Sequence, residues 1–242
     1  MVCIVGTGDR CDACVIFYSQ IRRLHNVTLQ VYRYETVVEI IREINELHKT
    51  FSINSQEFLN CNLKKTINKI ATKNGINQEF QSLINKYKSE LLNKLTINLL
   101  QLQSQFPGIR YRVKQSESIR EKILYYLGPE HEYGKVPINK SLNDFLGFRI
   151  FVENLELIYH DLKCDSKVTD IVARMYLREN GDYVGLHIYF KNKNNKFFPW
   201  ELQIWSINQS ELNEQSHKEH KQKRKYISIP QNYYEADLEK EG

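Results

Sequence analysis

YVGLHIYFKNKNNKFFPWELQIW, residues 183–205, consists of two apolar-rich runs on either side of a polar turn. Side chains alternate between the faces of a β-strand. Read that way, Leu186, Ile188 and Phe190 point to one side, with Leu202 and Ile204 as partners. Tyr183, His187, Glu201 and Gln203 share the other side. A hairpin centred near Asn194 sets His187 opposite Glu201. A slip of one residue would turn the polar groups into the core, so the alternation favours this register or a near equivalent. The hairpin therefore has one greasy face and one face able to bond, carry charge and stack.

The same division runs outward along the chain. In LGFRIFV (146–152), Leu146, Phe148, Ile150 and Val152 share one face, and Gly147, Arg149 and Phe151 the other. IRYRVK (109–114) lines one face with Arg110, Arg112 and Lys114, and VTDIVARMYL (168–177) reads as a further strand. Helices come first and between. Val37, Val38, Ile41, Ile44, Leu47 and Phe51 keep a helical stripe. Phe80, Leu83, Ile84, Tyr87, Leu91, Leu95 and Leu99 recur at threes and fours until the breaker Phe106-Pro107-Gly108. SESIREKILYYL (116–127), capped at Ser116 or nearby, NLELIYHDL (154–162) and the charged SELNEQSHKEHKQKRKY (210–226) complete the helical set. Helices followed by about five strands with helices between them predict an α+β, mixed α/β fold.

Composition bounds the function classes. The chain has 242 residues, 41% apolar and 26% charged, enough for a proper core in an ordinary soluble protein. A net charge of +5 suits an anionic ligand without demanding one. No 18-residue apolar run and no signal-peptide pattern occur, so a cytoplasmic location is expected. Cys11 and Cys14 form a lone CxxC without the second pair that a structural zinc site wants. GTGDR lacks the Lys-Ser/Thr ending of a P-loop.

The polar face gathers Arg112, Lys114 and Arg149 with the carboxylates Asp144 and Glu201, an imidazole and a phenol. The competing reading is a solvated sheet face, common in antiparallel sheets. Taken singly, Asp144 is a cap, Lys122 a surface lysine and His187 a bonded structural histidine. Together, two carboxylates among cations are a usual way to hold Mg²⁺ with a triphosphate. Ser118 and Lys122, four apart, share a helix face and extend a phosphate cradle. Tyr183 offers a ring on which a base can stack. The set reads as a nucleotide-using phosphoryl-type transferase.

RVKQSESIREKI, NDFLGFRIFV, YVGLH and WELQIW, in that order, resemble the synthetase domain of the RelA/SpoT homologues, whose single-domain members are the small alarmone synthetases. The resemblance covers residues 109 to about 220 and implies a nucleotidyltransferase-like mixed sheet flanked by helices. It divides the chain into a mainly helical N-terminal region (1–108), a pyrophosphotransferase core (109–226) and a tail (227–242). It implies transfer of the β,γ-pyrophosphate of ATP to a ribose 3′-hydroxyl with release of AMP. On this likeness Arg112 and Arg149 sandwich the adenine, and Lys114, Ser118 and Lys122 contact phosphates. Asp144 and Glu201 hold Mg²⁺, with Glu201 also helping to deprotonate the hydroxyl. Tyr183 stacks on the acceptor base, and His187 and Gln203 add acceptor contacts.

The sequence departs from the family pattern on the acceptor side. A lysine usually precedes the tyrosine in a Lys-Pro-Asn-Gly-Tyr-like loop; here the loop reads REN-GDY, with Glu179 at the matching place, Asp182 before Tyr183, and Arg178 as a substitute cation if the loop carries an insertion. After ELQI, Trp205-Ser206 stands where the family has Arg-Thr. Losing a cation disfavours a free GDP or GTP acceptor and points to the toxic branch, which modifies the 3′-CCA end of tRNA. A protein antitoxin would accompany such a toxin, and HKEHKQKRKY (217–226) is a candidate RNA contact. The alternatives are a guanosine tetra- or pentaphosphate synthetase and an inactive nucleotide- or RNA-binding module.

Overall fold

In a computed structural model of the chain, residues 29–58, 60–192 and 194–222 are described. Cys11, Cys14 and the segment after 222 lie outside them. The elements all belong to the body that begins at Val31. In chain order they are α1 (Tyr34–Asn54), a two-residue hairpin β1 (Ala71–Thr72) and β2 (Gly75–Ile76), α2 (Gln78–Gln105), β3 (Arg110–Val113), α3 (Ser116–Tyr126), α4 (Ile138–Ser141), β4 (Leu146–Val152), α5 (Leu155–Cys164), α6 (Ser166–Thr169), β5 (Arg174–Asn180), β6 (Tyr183–Phe190), β7 (Trp200–Ser206) and α7 (Ser210–Gln222). The fold is the mixed α/β class expected. No helix among the described residues is long and apolar enough to cross a membrane.

The large sheet has the order β3-β4-β7-β6-β5. Only β4 and β7 run parallel; the other pairs are antiparallel. Its apolar face is fully buried at Leu146, Ile150, Leu186, Ile188, Leu202 and Ile204. Helices α1 and α2 lie over that face. Their Phe51 and Tyr87 join Phe145, Phe198 and Trp200 in a cluster of edge-on and tilted rings, with centroids 4.3 to 5.9 Å apart. Edge-to-face rings of this kind add stabilisation beyond area burial.

Helix α2 begins where Asn77 accepts the Phe80 N–H at 2.8 Å, an N-cap, and stops as Phe106 turns into Pro107. Ser116 does not cap α3: Gln115 holds the N-cap position without a side-chain bond, and the Ser116 hydroxyl accepts from Lys88 Nζ at 2.6 Å.

Two sequence expectations are corrected. The run 168–177 is not one strand. Asp165 accepts the Lys167 N–H at 2.8 Å and starts the short helix α6, so β5 begins only at Arg174 and runs on to Asn180. The hairpin register is also shifted: His187 pairs with Gln203, and Tyr189, not His187, pairs with Glu201. Nine residues separate Phe190 from Trp200, so the strands are not joined by a tight turn centred on Asn194. The shift is two residues, an even number, so both faces keep their chemistry.

Candidate active site

Strand pairing aligns the polar face in rows. One row runs Arg112, Gly147, Glu201, Tyr189, Arg174 across all five strands. The next runs Arg110, Arg149, Gln203, His187, Tyr176. Nothing stands within 4 Å of where a Cβ on Gly147 would lie, so the face has an open floor between Arg112 and Glu201.

At one end of this floor Asp144 precedes β4. Its carboxylate accepts from Lys114 Nζ at 2.5 Å and from Lys122 Nζ at 2.9 Å. Lys122 also donates to Asn143 Oδ1 at 3.2 Å. Burial acts to raise the Asp144 pKa, but the two ammonium groups hold it well below the usual carboxylate range. Lys114 is itself buried, and that burial lowers its pKa against the pull of Asp144. Ser118 stands half-buried one turn before Lys122 on α3, and Arg112 is exposed.

Glu201 forms the centre. Its Oε1 accepts from His187 Nδ1 and from the Tyr189 hydroxyl, each at 2.8 Å, and its Oε2 accepts from Gln203 Nε2 at 2.9 Å. Burial alone would raise its pKa; the hydrogen bond and charge of His187, helped by Tyr189, reverse this and hold it ionised. The circuit continues. Trp205 Nε1–H donates to the Tyr183 oxygen at 3.1 Å, and that hydroxyl lies 2.8 Å from His187 Nε2. An indole N–H only donates and a carboxylate only accepts. His187 therefore donates its Nδ1–H to Glu201, and its Nε2 meets the Tyr183 hydroxyl. Burial pushes the Tyr183 phenol up to about 12, so it stays protonated at neutral pH.

Arg149 is wired to both ends. Its guanidinium lies on the Trp205 ring at 3.5 Å, donates to Gln203 Oε1 at 3.1 Å and pairs with Glu214 of α7 at 3.1 Å. Arg110 shares the same Glu214 oxygen at 3.2 Å. Arg149 Nε is buried without a partner.

The polar face continues onto β5 and β6. Asn180 pairs with Tyr183, so Gly181-Asp182 is a two-residue turn with glycine in the left-handed region at φ +57°. Arg178 shares the face of Tyr183, 5.9 Å from its ring, while Glu179 points to the opposite side. Tyr183 is 7% exposed, with Trp205 edge-on to its ring at 5.8 Å. Gly185 makes that packing possible: a Cβ there would meet the Trp205 ring at 3.0 Å and the Tyr183 hydroxyl at 2.7 Å.

The structure thus brings Lys114, Lys122 and Asp144 into one cluster, and Tyr183, His187, Glu201, Gln203 and Arg149 into another. The charge of Asp144 reaches Glu201, so the two clusters adjoin. Sequence reading missed Tyr189, Tyr176 and Glu214. Tyr189 continues the alternation 183, 187 and was findable; Tyr176 was hidden by the misplaced strand start. Glu214 comes from a helix whose position no local pattern reveals.

No family model matches the sequence, and no curated protein matches it either. Among solved structures the chain is similar to a GTP pyrophosphokinase family protein from Streptococcus pneumoniae, at 19% identity over 63% of this chain and 80% of that one, with a TM-score of 0.40. It is similar to small alarmone synthetase 1 from Bacillus subtilis bound to its product pppGpp, at 17% identity over 62% and 82% of the two chains, with a TM-score of 0.38. It is also similar to the Type VI effector Tas1 in complex with its immunity protein, at 13% identity over 53% and 62%, with a TM-score of 0.31. The functional reading below rests on the residues of the site.

Proposed function

We propose that this protein is an ATP-dependent pyrophosphotransferase that moves the β,γ-pyrophosphate of ATP to a ribose 3′-hydroxyl and releases AMP. The observation that carries it is the ionised Asp144 held by two lysines, beside the ionised Glu201, at the end of an open floor flanked by Arg112 and Arg149.

The donor set fits Mg²⁺, which takes oxygen ligands and is usually held by one or two carboxylates with substrate phosphates. Asp144 and Glu201 would hold it. Each Asp144 oxygen carries one lysine, and Glu201 Oε2 accepts only one hydrogen, so lone pairs remain on both residues. The ion supplies a Lewis acid that neutralises charge on the phosphate oxygens. Lys114 and Lys122 would exchange Asp144 for those oxygens, with Ser118 beside them. Arg112 and Arg149 would take the adenine between them, Arg149 being held flat by Trp205. The 3′-oxygen attacks the β-phosphorus, the bond from that phosphorus to the α–β bridging oxygen breaks, and AMP leaves. Glu201 Oε2 would receive the hydroxyl proton in place of the hydrogen from Gln203 Nε2, keeping its other lone pair for the ion. Positioning and charge stabilisation carry most of such a transfer. A cytoplasmic location goes with this nucleotide chemistry.

The favoured acceptor is the 3′-CCA end of tRNA, because the turn just before Tyr183 carries the carboxylate of Asp182 where a free nucleotide's 5′-phosphates would want a cation; Glu179 lies on the opposite face of β5 and has no part in the choice. Such a toxin would need a neutralising protein partner. A second reading, GDP or GTP as acceptor, is favoured by Arg178, whose place on the site face restores a cation for 5′-phosphates. The test is incubation with γ-phosphate-radiolabelled ATP and Mg²⁺, offering GDP, GTP or deacylated tRNA. Label on tRNA alone supports the first acceptor, and label on GDP or GTP alone the second. ATP binding with no label on any acceptor overturns the enzyme and leaves a nucleotide-binding module.

A further inference from the structure

The basic run 217–226 extends beyond the described residues, but the fold assembles another cationic surface from three distant segments. They lie side by side at the end of the sheet where β6 stops and β7 begins. Leu63 N–H donates to Asn195 O at 2.9 Å, Ile138 N–H to Lys65 O at 2.9 Å, and Asn139 N–H to Leu63 O at 3.0 Å. Asn139 Nδ2 donates to Asn195 Oδ1 at 2.9 Å and locks the third segment to the second. Each segment carries a lysine: Lys64, Lys140 and Lys191. Partial burial, and then the charges of Lys64 and Lys140, push the Lys191 ammonium below its ordinary pKa, so the three act within one another's field. Among the described residues none of the three pairs with a carboxylate.

Gathering like charges without a counter-charge is unfavourable. Lys64 and Lys140 are exposed, so packing does not require lysine there. Two of the lysines are also close in sequence to site residues: Lys140 is four residues before Asp144, and Lys191 two residues after Tyr189, whose hydroxyl holds Glu201. None of the large exposed hydrophobic side chains falls on these segments, so a protein partner would find no apolar centre. A strand of phosphates needs only cations, and lysine serves phosphate as a point charge.

We propose that Lys64, Lys140 and Lys191 form a docking surface for the phosphodiester backbone of an RNA whose 3′-terminal ribose enters the site at Asp144 and Glu201. This rests on the tRNA form of the proposed function, since a free nucleotide has no backbone to lay on these lysines. The test compares the full chain with its Lys64→Gln/Lys140→Gln/Lys191→Gln variant, reading deacylated-tRNA binding by fluorescence anisotropy across a salt series. The log–log salt slope of the variant is expected to be shallower by about 2, with affinity at low salt down roughly tenfold or more. ATP affinity and melting temperature are expected to stay unchanged. An unchanged slope, or no tRNA binding by the wild type, overturns the surface. An equal loss of ATP affinity also overturns it, by placing the lysines in the donor site. If the lysines govern tRNA binding but no pyrophosphate moves to any acceptor, the surface stands and the proposed enzyme falls. Transfer to GDP without tRNA binding does the reverse.

Discussion

Glu201 receives three hydrogens in a pocket that leaves the residue 6% exposed. A glutamine there keeps the shape but has only one acceptor oxygen, and its amide hydrogens face donors. Glu201→Gln is therefore expected to abolish transfer and to lower stability by roughly 1–3 kcal/mol, read by radiolabel transfer and by denaturant titration. Transfer near the wild-type rate would remove Glu201 from the chemistry. Tyr183 raises a different question, because its hydroxyl is tied to Trp205 and His187 while its ring is nearly enclosed. If the ring serves the acceptor, Tyr183→Phe keeps most activity and Tyr183→Ala loses it; if the hydroxyl holds His187 in register, both lose it. Gly147 is the third test. A Cβ there meets nothing within 4 Å and its φ is unstrained, so Gly147→Val should fold normally. It should weaken ATP binding at least tenfold, measured by calorimetry, by filling the floor between Arg112 and Glu201. Unchanged affinity would mean that the nucleotide does not lie on that floor.

Among the elements, what sequence revealed followed from periodicity, and what it hid followed from packing at a distance. The alternation in LGFRIFV and WELQIW gave both faces of β4 and β7, and the threes and fours from Phe80 to Leu99 gave α2. The register of β6 on β7 was not legible, because the nine residues between Phe190 and Trp200 make the connection too long for a two-residue hairpin turn from which to count. Nor was the role of α7. β6 pairs with β7 only as far as Leu186, although β7 itself runs on to Ser206. Val184 is left without a strand neighbour on that side. Asn213 of α7 takes that place: its Oδ1 accepts the Val184 N–H at 3.0 Å and its Nδ2 donates to the Val184 carbonyl at 2.8 Å. One helical side chain thus imitates a strand next to Tyr183. Asn213→Ala is expected to cost about 1–3 kcal/mol and to raise hydrogen exchange at Val184 selectively; an unchanged exchange rate there would show that α7 does not brace the edge.

For the whole molecule, the groups that shift on folding act in one direction as pH falls. His48 on α1 is fully buried, with its Nε2–H on the Phe198 carbonyl at 3.2 Å and its Nδ1 without a partner. Burial lowers its pKa from 6.5 to about 4, against a smaller opposing effect of that hydrogen bond. A histidine whose folded pKa is depressed leaves stability intact above its unfolded pKa. Below that, the unfolded chain binds the proton first, and stability drains as pH drops from about 6.5 towards 4. The full effect is on the order of 3 kcal/mol. Asp144 and Glu201 also have depressed pKa values, so their contributions are present above the ordinary carboxylate range and are lost only at lower pH. Acid unfolding should therefore come in two stages, with the first belonging to a ring that packs edge-on against Trp200 at 4.7 Å, away from the chemistry. Replacing His48 with Phe removes the titrating group while keeping an aromatic ring. The variant's stability, from urea titrations at intervals between pH 7 and 3, should stay flat down to about pH 4.5 and then fall as the wild type does. A slope between pH 6.5 and 4.5 equal to that of the wild type would assign the first stage to another group.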